Sequence, residues 1–143
     1  MKMEKRVVHI EDFFTEKYEK EGIWFEPKIR GISCGIQFLV TGVGTDENIA
    51  NEERFSKTRD ELEEMKDPVE KVKMLKKLDA QCIASFVKGI KAAEGCETDF
   101  GGKPLEYSAP FIEDLFYNAP LIKLEVAKFA RDKANFIKGK KNS

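Results

Sequence analysis

Histidine is almost missing from this 143-residue sequence, and most histidine chemistry goes with it. The single imidazole, His9, has no cysteine and no second histidine near it in sequence, so a metal site or a Ser-His-Asp or Cys-His mechanism would rest on one residue. No G-x-S-x-G elbow is present to support such a mechanism. Cysteine is scarce too. Cys34, Cys82 and Cys96 are odd in number, widely spaced and without a C-x-x-C pair, which argues against a disulfide framework or a cysteine zinc site and for reduced, mostly buried thiols. No apolar run approaches the roughly 20 residues that cross a bilayer, so no membrane partner is expected. The opening stretch MKMEKRVVHIEDFF reaches Glu11 and Asp12 after only a few apolar residues, which argues against a signal peptide and for the cytoplasm. A charge excess of either sign is also lacking. With 25 basic against 26 acidic residues there is no global electrostatic reason to expect nucleic acid.

What is present is a mixture of 41% hydrophobic and 36% charged residues, too apolar for general disorder and too charged for a membrane protein. A chain of this length fits one domain, which buries about two-thirds of the surface its unfolded form exposes. The charge is segregated. Between Asp46 and Glu70 acidic residues outnumber basic ones ten to four, whereas between Pro120 and Ser143 basic residues lead seven to two.

Short β-branched and aromatic runs bounded by glycine and proline, Gly22 to Pro27, Lys28 to Gly31 and Gly35 to Gly42, read as two or three strands in a hairpin or small meander. A sheet that small needs helices over it. Ile10 to Lys20 reads as a short helix ahead of it. Thr45-Asp46 caps a charged helix running to about Met65. Asp67-Pro68-Val69-Glu70 then supplies an N-cap, a first-turn proline and an acid three residues after the cap. Val72, Leu75, Cys82, Ile83, Phe86, Val87 and Ile90 follow at steps of three and four, which predicts one amphipathic helix to about Ala93. Asp79 interrupts that stripe, either as a local break or cap or facing a polar partner. Residues 95–107, rich in glycine and proline, form a loop.

Beyond the loop the chain nearly repeats itself: Ser108-Ala109-Pro110-Phe111-Ile112 is echoed by Asn118-Ala119-Pro120-Leu121-Ile122. Proline in a first helical turn lacks an N–H that would be unbonded there anyway, and Ser108 and Asn118 can cap the free N–H groups, so the echo marks two helix starts. The first helix runs from Pro110 to Tyr117. The second runs from Pro120 to about Ile137, with Ile122, Val126, Phe129, Ala130 and Ile137 on one face. The sum is an α+β chain, mainly α, in a single domain over 1–143. It has an antiparallel β-hairpin or meander at 22–42, two helices within 45–93, two C-terminal helices within 108–137 that make a four-helix domain, and a flexible charged tail at 138–143.

Chemical motifs are thin. Gly42-Val43-Gly44 sits between a predicted strand and helix, where a dinucleotide fingerprint would sit, but Glu47 replaces the third glycine and no alternating strand-helix pattern follows. Glycine's backbone freedom in a strand-to-helix turn explains the pair without a ligand. Glu52, Glu53, Asp60, Glu61, Glu63 and Glu64 are interspersed with Arg54, Lys57, Arg59 and Lys66, the pattern of a solvated helix face. Asp46-Glu47-Asn48 lacks the spacing and glycine of a calcium loop. The basic tail lacks the aromatic interleaving of a single-strand binder. No catalytic residue, cofactor or metal is expected.

One resemblance stands beside this reading. Gly102-Lys103-Pro104-Leu105-Glu106-Tyr107-Ser108, then Leu115, then Asn118-Ala119-Pro120-Leu121-Ile122, and finally Phe129-Ala130-Arg131-Asp132-Lys133-Ala134-Asn135-Phe136 form a G-x-P-L loop leading to two helices and an Asn-Phe ending. Together with the order small sheet, charged helix, long helix, glycine loop and twin helices, this block resembles the tail assembly chaperones of long-tailed bacteriophages. The resemblance implies a non-enzymatic protein of the host bacterial cytoplasm that coats the tape measure protein and keeps it soluble while tail tube subunits polymerise around it. Homo-oligomeric rings or spirals are implied as well. So is a second, longer product, made by ribosomal slippage near codons such as those for Lys140-Lys141-Asn142. Eleven phenylalanines and apolar helix faces suit a helix-in-groove partner surface, for which Phe86, Ile90, Phe111, Leu115, Phe116 and Phe129 are contact or core candidates. Two other readings remain open: a structural tail or head-tail component, and a small enzyme or nucleotide-binding protein using the Gly42–Gly44 turn or the acidic helix.

Overall fold

The computed structural model describes residues 4–137. A 3-10 turn at Ile10–Phe13 and helix α1 (Glu16–Glu21) lead into strands β1 (Ile23–Phe25), β2 (Lys28–Ile29), β3 (Ile32–Ser33) and β4 (Ile36–Val40), then helices α2 (Asp46–Glu63) and α3 (Pro68–Ala84). Strand β5 (Val87–Ala92), strands β6 (Asp99–Phe100) and β7 (Lys103–Pro104), helices α4 (Ala109–Asn118) and α5 (Pro120–Arg131), and a 3-10 turn at Lys133–Phe136 follow. The chain is mixed α and β, with five α-helices rather than four among these residues, and three small antiparallel sheets. The expected tail at 138–143 lies outside the described residues.

The main sheet is built around β4, whose alternation buries Ile36, Phe38 and Val40 on one face. It pairs on one side with β1, Phe25 opposite Phe38, and on the other with β5, Phe38 opposite Ile90. The apolar face meets α3, α4 and α5 in one core that includes Phe38, Ile83, Phe86, Ile112, Phe116, Val126, Phe129 and Phe136. On the opposite face Trp24 lies across Gly89, where a Cβ would come within 3.0 Å of the indole, and the Lys91 ammonium sits 4.1 Å from the centre of the indole ring. The expected meander is therefore split. β1 and β4 share a sheet, while β2 and β3 form their own hairpin between them.

The largest correction concerns the helix expected to reach Ala93. It ends at Ala84, and residues 87–92 become the third strand of the main sheet. The break has an identifiable cause. The Ser85 hydroxyl donates to the Cys82 carbonyl at 2.6 Å, and the Phe86 carbonyl accepts from both the backbone N–H and the hydroxyl of Thr41, each at 2.8 Å. Once that carbonyl is committed to the end of β4, the β-branched and glycine-containing run Val87-Lys88-Gly89-Ile90 continues as its partner.

Helix ends follow the sequence more closely. Thr45 accepts from the Asn48 N–H, Asp67 from those of Val69 and Glu70, and Ser108 from that of Phe111. The echo is only half symmetrical. Ala119, not Asn118, is the cap position of α5, and the Asn118 amide instead donates to Asp114 at the end of α4. α5 stops at Arg131, and Asp132 caps a separate turn by accepting from Ala134, so Ile137 lies beyond the helix. Ile10 to Lys20 is likewise divided, between the first 3-10 turn and α1. Residues 95–107 carry the β6–β7 hairpin, turned by Gly101 and Gly102 at φ of 60° and 79°. Asp79 breaks nothing: its carboxylate pairs with Lys123, joining α3 to α5.

Candidate functional site

The six residues singled out from sequence do not share an open surface. Phe86, Leu115, Phe116 and Phe129 are buried in the core, and Ile90 and Phe111 are half-buried against it. Phe111 meets Phe100 edge-on at 5.8 Å, closing the β6–β7 hairpin onto α4. Phe129 stacks on Phe25 with ring centres 4.3 Å apart and meets Phe136 edge-on at 5.6 Å. These contacts explain much of the phenylalanine content as packing.

The open surface lies beside them. Helices α3 and α4 leave between them a groove of about 480 Å³, with Met74, Pro110 and Tyr117 as its apolar surface. Lys73 and Lys77 come from α3, one turn apart, and Glu113 and Asp114 from α4. On the other side of α4 a second hollow of about 460 Å³ runs to the β6–β7 hairpin, sharing Pro110 and Asp114 with the first. The N-terminal segment presents a further apolar surface. Val7, Val8, Ile10, Phe13 and Phe14 are all exposed, Val7 by 79%, and no residue of the first 3-10 turn is buried. Neither Met74 and Tyr117 nor this segment was singled out from sequence. The run Val7-Val8-His9-Ile10 before Phe13-Phe14 is the available signal, which sequence divides between a stretch too short for a signal peptide and the start of a short helix at Ile10.

The Gly42–Gly44 turn holds a carboxylate of the chain itself. Glu19 is 3% exposed, accepts from the Thr15 hydroxyl at 3.0 Å, and lies 3.5 Å from the Lys133 ammonium. A Cβ on Gly42 would fall 2.4 Å from Glu19 Cγ, and one on Gly44 2.8 Å from its Oε1. Neither glycine has a positive φ, so the backbone freedom expected from sequence is not the reason for them: Gly42 leaves room for Glu19, and Gly44 for the ends of Glu19 and of Lys133, whose Nζ lies 2.7 Å from where a Cβ would stand. Next to it the Asn48 amide donates to Thr41 Oγ1 at 2.9 Å and to the Gly42 carbonyl at 2.7 Å, fixing the start of α2.

Among the described residues no group of three or more His, Cys, Asp or Glu side chains could hold a metal ion, and no helix is long and apolar enough to cross a membrane. His9 lies exposed in the N-terminal segment. The cysteines differ in environment: Cys82 is buried, Cys34 half-buried, and Cys96 exposed, contrary to the expectation of mostly buried thiols. Burial pushes the Cys34 and Cys82 thiols up from their ordinary value. Mass-mapped alkylation of the native protein at mildly alkaline pH should therefore label Cys96 first, Cys34 more slowly and Cys82 only on unfolding. Early labelling of Cys82 would contradict the burial of the α3 C-terminus.

No family model matches the sequence, and neither curated proteins nor solved structures give a significant match.

Proposed function

We propose that this chain is a tail assembly chaperone of a long-tailed bacteriophage or prophage, a non-enzymatic protein that binds the tape measure protein in the host cytoplasm and keeps it soluble while tail tube subunits polymerise. The observation that carries the reading is the C-terminal block running from the G-x-P-L loop at Gly102 to Asn135-Phe136. In the fold, residues of this block act together. Leu115, Phe129 and Phe136 are core neighbours, and the Asn135 amide donates to the Phe129 carbonyl at 3.0 Å, so the Asn-Phe ending locks α5 in place.

Support comes also from what α3, α4 and α5 leave uncovered. Val69, Val72, Met74, Tyr117, Leu121 and Leu124 are exposed, a supply of apolar helix surface suited to laying down a long amphipathic helix. The nucleotide-binding alternative would use the Gly42–Gly44 turn, where the Glu19 carboxylate sits in place of a phosphate. The structural-component alternative differs in its whereabouts after assembly. Deleting the gene from the phage or prophage that carries it should leave heads without tails, and mass spectrometry of finished wild-type particles should find tape measure and tube proteins without this chain. Normal tails after deletion, or stoichiometric amounts of the chain in finished particles, would overturn the reading.

A further inference from the structure

The N-terminal segment and the α3–α4 groove are each incomplete within one copy of the chain. Residues 4–14 carry five exposed apolar side chains, and their charges come in two groups, Glu4-Lys5-Arg6, net positive, ahead of Val7 and Glu11-Asp12, negative, ahead of Phe13. The groove offers Met74 and Tyr117 as apolar floor, with Lys73 and Lys77 beside Glu70 on a net-positive α3 wall and Glu113 and Asp114 on an acidic α4 wall. Among the described residues none of these ten charged side chains is in an ion pair. The two surfaces therefore have matching needs.

We propose that the N-terminal arm of one copy docks in the α3–α4 groove of a second copy. The arm lies across the groove with Lys5-Arg6 over the acidic α4 wall and Glu11-Asp12 over the lysines of α3. This orientation leaves the intervening Val7, Val8 and Ile10, followed by Phe13 and Phe14, to cover Met74 and Tyr117. The reach is sufficient: the six residue steps from Lys5 to Glu11 span at most about 20 Å extended, against the roughly 8–10 Å between the axes of two packed helices. Donor and acceptor surfaces differ, and each copy that gives an arm still offers a groove of its own. Where the copy that receives an arm returns its own to the donor, the contact closes as a two-fold pair; where it does not, the contact grows into a ring or open helical array. The inference specifies how copies meet and does not depend on the tape measure protein, because the chain alone reports it.

Sedimentation of the full chain tests it with variants confined to exposed positions. Wild-type protein should associate, into a two-fold pair or beyond, as concentration rises. Val7→Ser with Phe13→Ser and Phe14→Ser should give a monomer of unchanged circular dichroism, since none of the three is buried. Lys73→Glu with Lys77→Glu should weaken association roughly tenfold or more, and adding Glu11→Lys with Asp12→Lys in the same chain should restore it. Equal mixtures of the arm variant and a Met74→Glu groove variant should stop at one-to-one pairs, because only one usable arm and one usable groove remain. A wild-type chain that stays monomeric, including one whose arm folds into its own groove, would overturn the proposal. An arm variant that associates like wild type, or a charge reversal without effect or without rescue, would do the same.

Discussion

Phe129→Ala should lower the stability of the fold by about 3–5 kcal/mol, the largest effect expected from any single side chain discussed above. The ring is 4% exposed, stacks on Phe25 of β1 and meets Phe136 of the closing turn, so its removal opens a cavity where the sheet, α5 and the C-terminal turn converge. These surroundings come from three separate elements and cannot easily collapse together. Pro120→Ala is the contrasting case. The proline occupies the first turn of α5, where its missing N–H would have no helical partner, so the change acts mainly through unfolded-chain entropy and should cost roughly 1 kcal/mol or less. Denaturant unfolding of both variants reads the difference. Similar, small costs would place the core elsewhere.

Gly42→Ala should cost about 1–3 kcal/mol, the range of overpacking in a filled interior. A methyl group here meets Glu19 Cγ at 2.4 Å and Glu19 Cβ at 2.8 Å, so moving the carboxylate tip alone cannot relieve the clash. The Thr15 hydroxyl donates to that carboxylate, the Lys133 ammonium lies beside it, and the Glu19 carbonyl accepts from the Gly42 N–H at 2.9 Å. Glu19→Ala removes Cγ and the carboxylate, so the two substitutions should be strongly non-additive. In the Glu19→Ala background, Gly42→Ala should lose much of its cost. Additive costs would mean that Glu19 does not fill the turn.

These two sites also show which features were legible in sequence. Caps and first-turn prolines announce helix starts because they answer a local need, the unbonded N–H groups of the first turn, and Thr45, Asp67 and Ser108 meet it as their residue types suggest. The end of α3 was not legible for the opposite reason. Phe86 and Val87 are core residues whether the backbone is helix or strand, so a spacing of threes and fours runs unbroken across the junction. Its resolution depends on Thr41, 45 residues earlier. Gly42 and Gly44 suggested a turn from local conformational preference, yet the cause is Glu19, brought back across β1 and β4. The six phenylalanine and aliphatic candidates show the limit for function: apolar periodicity marks what is buried, and here it drew attention to the packing beneath α3 and α4. Met74, Tyr117 and the Val7–Phe14 segment, which remain open, have no such periodic signal.

The charge segregation read from sequence takes a specific form in the fold. α2 carries its acids and bases largely in solvent, with Glu53 and Lys57 as an exposed i,i+4 pair worth only a fraction of a kcal/mol, on the order of 0.3–0.5. The Asp79–Lys123 contact is less exposed and joins α3 to α5, as the Glu63–Lys71 pair at 2.9 Å joins α2 to α3, so both bear on helix register more than the Glu53–Lys57 pair does.

Co-expression with a tape measure protein tests the central claim most directly. A full-length tape measure protein from the same phage or prophage, produced in bacteria with and without this chain, is assayed by the fraction that remains in the cleared lysate and by what co-purifies with it. The account predicts that the tape measure protein is largely insoluble alone, becomes soluble with the chain present, and carries many copies of the chain per molecule through size-exclusion chromatography. A tape measure protein whose solubility is unchanged by the chain, with no chain bound to the soluble fraction, would contradict it.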